Sequence, residues 1–322
     1  MLMNNFNKMD NKMNFTKNLS VIIPCYNHEK YIEETIQSIW RQNIKNMEII
    51  VVDDGSSDNS FSLLQQLQKK STIDMQIYTQ KNQGVTKTLN RALNFASGKY
   101  ICMIDSDDKY EDNALKPMIK EIESDKNLKL VYANGYGFNE KGKGNIPIHP
   151  QHIIQLLSKN ATDIKNDLLV HVPRPLLTQA CIMDTQMLLD FGGWDEEVRI
   201  DDWTLNINMF TYLSENHFKH KYLEHSMVLY RDHDLQMHKN SDYNFEIIKE
   251  VIYKYTPKDK KPKFLSSEMR HRAKDLLRDG DTQKANQILL EAIKTDKSFG
   301  NIFESLRLMI KYNIKSFFSS GQ

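Results

Sequence analysis

The sequence predicts an α/β fold, a doubly wound and mostly parallel sheet with its ligand site at the carboxyl ends of the strands. Three observations predict it. Between residues 20 and 104, short apolar runs alternate with stretches of helical periodicity. The runs are continuously apolar rather than alternating, as strands covered on both faces require. Two of them end in acidic clusters, which a parallel sheet brings to one rim.

Val21-Ile22-Ile23 is the first strand, closed by Pro24. Tyr31 to Arg41 then places Ile32, Ile36, Ile39 and Trp40 on one helical face. Glu48 to Val52 is the second strand and runs into Asp53-Asp54-Gly55-Ser56; Phe61, Leu64 and Leu67 mark the helix that follows. Met75 to Tyr78 is a short third strand, and Val85, Leu89, Ala92, Leu93 and Ala96 form a third helix closed by Gly98. Tyr100 to Ile104 is the fourth strand. Residues 131–175 carry eight Gly and Pro residues and read as loop-rich, substrate-binding structure; Leu176 to Met183 reads as a further strand, before a helix to Asp190 and the turn Gly192-Gly193-Trp194. Pro257 and Pro262 mark a boundary. Beyond it, Ser267 is the expected N-cap and Gly280 the expected C-cap of one helix, and Ala285, Ile288, Leu289, Ala292 and Ile293 stripe a second. This pair resembles half of a tetratricopeptide-type hairpin, though one hairpin is not a repeat array. The expected organisation is a disordered lead-in (1–18), a catalytic domain (19–256) and a basic helical extension (257–322).

Composition bounds the function. A chain of 322 residues with 40% hydrophobic content is long enough for a full-sized core. Lys+Arg 43 against Asp+Glu 42 gives no global charge pointing to nucleic acid. The distribution is uneven: residues 258–322 hold 14 basic and 8 acidic residues, net +6, leaving 29 against 34, net −5, for the rest. Cys25, Cys102 and Cys181 lack the spacing of a disulfide framework or a zinc site and are expected to be buried and reduced. Residues 1–18 lack an apolar secretory core, and no run approaches the ~20 residues of a membrane span. A cytoplasmic location is expected. Ile302, Leu306, Met309, Ile310, Phe317 and Phe318, with Arg307, Lys311 and Lys315, suggest peripheral contact with the cytoplasmic face of the inner membrane.

Acidic residues at the ends of buried strands are costly unless solvated, paired or bound to cations. Asp53-Asp54 follows the second strand and Asp105-Ser106-Asp107-Asp108 the fourth. Helix and turn capping is the ordinary alternative, but three carboxylates within four residues call for a cation. Mn²⁺ and Mg²⁺ accept one or two carboxylates plus phosphate oxygens, which describes a nucleoside diphosphate site.

Eight motifs in one order then carry a family resemblance over roughly residues 19–235. They are Ser20-Val-Ile-Ile-Pro-Cys-Tyr-Asn27, Val52-Asp-Asp-Gly-Ser-Ser-Asp58, Asn82-Gln-Gly84, Ala96-Ser-Gly-Lys-Tyr-Ile101, Asp105 to Asp108, Gly192-Gly-Trp-Asp195, Asp201-Asp-Trp203 and Tyr230-Arg-Asp-His233. Together they resemble the family 2 glycosyltransferases of the GT-A fold. The resemblance implies a nucleotide-sugar donor, a UDP-sugar first and dTDP- or GDP-sugars as alternatives. It implies a glycan or lipid-linked acceptor in bacterial surface glycan synthesis, and inversion at the anomeric carbon. Pro24, Tyr26 and Asn27 would lie at the base pocket and Asp54 at the nucleoside. Asn82 and Gly84 would sit near the diphosphate and sugar, with Asp105 and Ser106 at the ribose or sugar. Asp107, Asp108 and His233 would hold Mn²⁺ or Mg²⁺, His238 being a competitor for His233. Asp201-Asp202 stands where the family usually has Glu-Asp. Asp202 is the expected base, because an acceptor hydroxyl needs a carboxylate to take its proton, and Asp201 could cap the helix beginning near Trp203. The shorter side chain at 201 leaves the choice between the two open. His28 and Trp40 are expected to be structural.

A dehydrogenase is excluded, since no G-x-G-x-x-G follows the first strand. A nucleotidyltransferase would need a Gly-rich basic loop where Pro24-Cys25-Tyr26-Asn27 stands. A catalytically inactive scaffold is the remaining alternative, against which the intact acidic motifs argue.

Overall fold

A computed structural model describes residues 14–173, 176–233 and 241–319, the last with side chains to 311. His238, Pro175 and the side chains of Lys315, Phe317 and Phe318 lie outside the described residues.

The alternation read from the sequence is present. Strands β1 (Lys17–Cys25), β2 (Met47–Asp53), β3 (Asp74–Thr79) and β4 (Gly98–Met103) are separated by helices α1 (Ile32–Trp40), α2 (Ser60–Lys70) and α3 (Val85–Phe95). They pair in parallel in the order β3-β2-β1-β4. Successive residues of β1, β2 and β4 face opposite cores, which explains the unbroken apolar runs within them. Ile22, Ile50, Val52, Ile101 and Met103 face a core shared with Leu89, Ala92 and Leu93 of α3. Val21, Ile23, Ile49, Val51 and Cys102 face a second core filled by Ile32, Ile36 and Ile39 of α1 and Leu64 and Leu67 of α2. Each such fully buried side chain contributes roughly 1.5–3 kcal/mol by leaving water. Cys25, Cys102 and Cys181 are free thiols within these cores, and burial pushes Cys25 and Cys102 up to about 12.

The second half departs from the expected loops. After β5 (Lys109–Tyr110) and α4 (Leu115–Ile122), residues 128–147 form β6 (Leu128–Asn139) and β7 (Gly142–Pro147), followed by α5 (Gln151–Leu157) and α6 (Ala161–Leu168). Glycine misled the sequence reading here. A Cβ at Gly135 would lie 2.6 Å from the carbonyl oxygen of Val228, so glycine lets β6 lie against β9 (Lys219–Arg231) rather than ending a strand. The strand expected over 176–183 is also corrected. Thr178–Ala180 is a 3₁₀ turn, and only β8 (Cys181–Asp184) is extended, antiparallel to β4 and β6. The full order is β3-β2-β1-β4-β8-β6-β9-β5, with β7 beside β6.

Helices α7 (Thr185–Phe191) and α8 (Asp202–Glu215) flank the turn at Gly192-Gly193-Trp194. That turn is clamped to α3: Asn90 Nδ2 donates to the Trp194 carbonyl and the Trp194 N–H donates to Asn90 Oδ1, both at 2.8 Å. Gly193 has φ 73°, and a Cβ there would meet Asn90 Oδ1 at 2.4 Å, so the clamp requires glycine.

The chain ends in α9 (Ser241–Tyr255), α10 (Lys261–Arg278), α11 (Thr282–Thr295) and α12 (Phe299–Ser319). Phe264, Leu265 and Met269 of α10 join the core shared with α3, with Phe264 edge-on to Trp203, while Ala273, Leu276 and Leu277 pack on Ala285, Leu289 and Leu308. Packing therefore runs across the Pro257 boundary. Ser267 is not a cap: α10 starts six residues earlier, with Pro262 in its first turn, where proline loses no helical bond. Gly280, at φ 88°, does follow the end of α10 in the left-handed conformation. Among the described residues no helix is long and apolar enough to cross a membrane.

Candidate functional site

The carboxyl ends of β1, β2, β3 and β4, the start of α8 and the end of β9 meet at one rim. Pro24 is half-buried near the end of β1, and Tyr26 just beyond it is 47% exposed. Asn27 turns the chain with φ 56°; its side-chain oxygen accepts the Ser57 N–H at 2.8 Å and its own N–H donates to Ser56 Oγ at 2.9 Å. The next N–H, of His28, donates to Ser60 Oγ at 2.8 Å, so the loop after β2 fixes the loop after β1.

Asp54 is 4% exposed and anchors the loop after β3. Its Oδ1 accepts from Gln80 Nε2 at 2.8 Å and the Gln83 N–H at 2.9 Å, and its Oδ2 accepts the Gly84 N–H at 2.8 Å. Both oxygens of a residue expected at the nucleoside are thus engaged by the protein. Asn82 and Gly84 lie exposed on that loop. Gly55, at φ 75°, lets it approach: a Cβ there would meet the Asn82 nitrogen at 2.9 Å.

Beyond β4, the buried polar side of α1 holds the acidic loop. Thr35 Oγ1 donates toward the carbonyls of Asp108 (2.6 Å) and Ser106 (3.0 Å), Ser38 Oγ accepts the Tyr110 N–H (3.1 Å), and Gln42 bonds the Glu111 carbonyl (2.8 Å) and the Leu115 N–H (3.1 Å). Asp105 is half-buried and accepts from Gln179 Nε2. Burial, then the carboxylates of Asp107, Asp201, Asp108 and Asp202, holds its carboxyl well above the usual range. Asp108 is raised for the same first reason and then by Asp107; one oxygen accepts the Arg231 N–H at 2.7 Å, and the other is buried with no hydrogen-bond partner.

Asp107 faces two imidazoles. His233 Nε2 is 2.9 Å from Asp107 Oδ2, and His28 Nε2 is 3.7 Å from the same oxygen. His28 Nδ1 meets Ser106 Oγ at 2.6 Å, and burial holds the ring's basicity below the usual histidine value. One ligand atom from each of His28, Asp107 and His233 lies within 4.8 Å of the others, as do those of Asp105, Asp107 and Asp108. Oxygen and imidazole donors that share Asp107 in two overlapping groups fit a divalent cation.

Asp202 and Asp201 are near enough to Asp105 to act on its carboxyl. Asp202 Oδ1 accepts the Thr178 N–H at 3.2 Å and the Thr178 hydroxyl. Burial, then Asp201, pushes the Asp202 carboxyl up to about 7, against those two donors. Asp201 is raised by burial and makes no side-chain capping bond to α8, contrary to the capping role considered for it.

Sequence reasoning missed four contributors. Thr178 and Gln179 hold Asp202 and Asp105; a polar pair inside the apolar run 176–183 was the available signal. His149 was not singled out. It is buried, with Nδ1 3.0 Å from the Ala133 carbonyl and Nε2 accepting the Leu177 N–H at 3.0 Å, which positions the Thr178 turn; burial lowers it to about 4. His28, taken as structural, lies in the cluster instead.

Residues 20–174 match the family model described as Glycosyl transferase family 2. Glycosyltransferase GlyG of Streptococcus pneumoniae is 31% identical over 122 residues, 38% of this chain and 40% of that protein. The putative teichuronic acid biosynthesis glycosyltransferase TuaG of Bacillus subtilis is 37% identical over 102 residues, 32% of this chain and 40% of that protein. The matched stretch thus spans less than half the length of these relatives. Among solved structures, S. aureus TarS 1-349 in complex with UDP-GlcNAc aligns with TM-score 0.60 and 18% identity over 86% of this chain and 81% of that one. Mannosyltransferase PcManGT from Pyrobaculum calidifontis, in complex with GDP-Man and Mn²⁺, aligns with TM-score 0.54 and 16% identity over 92% and 85%. Sequence motifs and these matches agree: residues 20–174 are similar to glycosyl transferase family 2, and the chain has the GT-A fold.

Proposed function

We propose that the chain transfers a sugar from a nucleoside-diphosphate sugar to a hydroxyl acceptor, with inversion. The carrying observation is the single rim on which Asp105, Asp107, Asp108, Asp201 and Asp202 converge with His28 and His233. The UDP, UDP-GlcNAc and GDP-Man bound to structural neighbours support a nucleotide-sugar donor, and the relatives' names support a bacterial polysaccharide acceptor.

Exposed Tyr26 offers a face on which a base can stack, beside Pro24 and Asn27. Asp54 acts by shaping the Asn82–Gly84 loop for the diphosphate and sugar. Asp105 faces the ribose or sugar; Ser106, expected beside it, is instead buried with its hydroxyl on His28 Nδ1. Asp202 is the base: as the acceptor oxygen bonds to the anomeric carbon, the carbon–oxygen bond to the diphosphate breaks on the opposite face and the hydroxyl proton passes to Asp202. A carboxyl pushed up to about 7 is matched to that task near neutral pH. Asp107 and His233, with Asp108 behind them, are the groups that would hold Mn²⁺ or Mg²⁺, whose charge would stabilise the departing diphosphate. Incubating the protein with nucleotide sugars, Mn²⁺ and candidate acceptors should release nucleoside diphosphate, and NMR of the product should show the opposite anomer. Retained configuration would reject the base assignment; release of pyrophosphate would point to nucleotidyl transfer, and no release to an inactive scaffold.

Contact with the cytoplasmic face of the inner membrane has support of its own. Phe299, Phe303, Leu306 and Ile310 are exposed on one side of α12, beside exposed Arg307 and Lys311. The stripe differs from the expected one: Met309 packs on the α10–α11 core. Paired substitutions Phe299→Ser and Phe303→Ser should abolish co-sedimentation with anionic vesicles; undiminished sedimentation would reject the contact.

A further inference from the structure

The His28 ring is held as a metal ligand is held. Its backbone N–H is pinned by Ser60 Oγ at 2.8 Å, and its Nδ1 is engaged by Ser106 Oγ at 2.6 Å. Its Nε2 is thereby turned toward Asp107 Oδ2, at 3.7 Å, which is too far for a hydrogen bond but short enough for one ion to touch both. His233 reaches the same oxygen at 2.9 Å, its ring tilted against Tyr31 at 4.9 Å between centroids. A fixed Nδ1 partner and a directed Nε2 are what orient a histidine toward a metal. The family resemblance supplies Asp107 and His233 but gives His28 no role, and the sequence alone read it as structural.

We propose that His28 is a third protein ligand, and that the His28–Asp107–His233 set makes the site select a transition-metal ion such as Mn²⁺ over Mg²⁺. Mg²⁺ prefers an octahedron of oxygens and keeps its water, whereas imidazole nitrogens favour ions further along the transition series. Two imidazoles around one carboxylate oxygen therefore discriminate where a carboxylate-only site would not. The proposal rests on the donor-site reading above, and its test separates the two.

Mn²⁺ is titrated into the full chain with UDP, and pulsed electron paramagnetic resonance counts the coupled imidazole nitrogens. Two inequivalent histidine couplings are expected for the native chain and one for His28→Ala. Mn²⁺ affinity should fall on the order of tenfold or more in His28→Ala and less in Ser106→Ala, which removes only the orienting hydroxyl. Mg²⁺ should displace Mn²⁺ more easily from His28→Ala than from the native protein. One coupling in the native chain, or two in His28→Ala, overturns the proposal; the native count alone decides should the variant fail to fold. UDP binding without nitrogen-coupled Mn²⁺ overturns this inference and leaves the donor reading standing. Failure of UDP, UDP-GlcNAc and GDP-mannose to bind with any metal removes both.

Discussion

Glu48, at the amino end of the parallel strands, and Asp105, at their carboxyl end, are buried or half-buried carboxylates on one sheet in opposite circumstances. Glu48 is 1% exposed and well supplied with donors. Ser20 Oγ and the Ser97 N–H each lie 2.6 Å from its Oε1, Ser97 Oγ lies at 2.9 Å, and Gln76 Nε2 reaches Oε2 at 3.2 Å. Ser20 Oγ in turn accepts the Gly98 N–H at 2.8 Å, so the network ties β1, β2 and β4 together. Asp105 accepts from Gln179 and otherwise faces Asp107, Asp108, Asp201 and Asp202. A carboxylate with enough donors is a structural tie; a group of carboxylates facing one another is held ready for a cation or a proton.

Four changes would break or sharpen that contrast. Asp202→Asn at the carboxyl rim should lower turnover roughly 10²–10⁴-fold, the usual worth of a general base, while UDP binding stays close to native. Near-native turnover would remove Asp202 from the mechanism and move the base to Asp201. At the other rim, Glu48→Ala should destabilise by about 2–4 kcal/mol, because it strands the Ser20 hydroxyl and the Ser97 N–H and leaves a void. A denaturation midpoint unchanged by Glu48→Ala would show that the network is dispensable.

The pH dependence follows from the sign of the shift. Asp202 carries a folded-state value raised to about 7, against an unfolded value near ~4. The folded chain thus binds the proton more tightly, and this contribution to stability is present below pH ~4 and lost as pH rises toward 7. Without divalent ions, native stability should decline over that window, and Asp202→Asn should flatten the decline. Transfer rate should climb over the same window as the base loses its proton; parallel profiles for the native chain and Asp202→Asn would contradict the shift. The smallest effect belongs to Asp105→Asn, which relieves repulsion while keeping an acceptor for Gln179. It should stabilise the metal-free protein by about 1 kcal/mol or less at neutral pH. A destabilisation matching that of Glu48→Ala would show that the two rims do not differ.

Much of this contrast was legible in the sequence, and the limits are physical. The parallel half of the sheet was readable because strands covered on both faces need unbroken apolar runs, as in Ile49 to Val52, and because α1, α2 and α3 each present one apolar side. The acidic rim was readable because Asp53-Asp54 and Asp105 to Asp108 stand where parallel strands end. Residues 131–180 were not, because Gly135 marks close strand approach rather than a break, and the polar pair Thr178-Gln179 lies within a run resembling a strand. The role of His28 was hidden as well, since it depends on Ser106 and Asp107, almost eighty residues away in sequence.

The sequence by itself determined the α/β alternation, the family resemblance and the residue types available for chemistry, since local periodicity and motif order are properties of the chain. Tertiary structure decided which carboxylates are satisfied and which face one another. Donors such as Ser97 and Gln179 are brought to Glu48 and Asp105 by strand pairing and packing, and the electrostatic state of a carboxylate depends on neighbours that only the fold assembles.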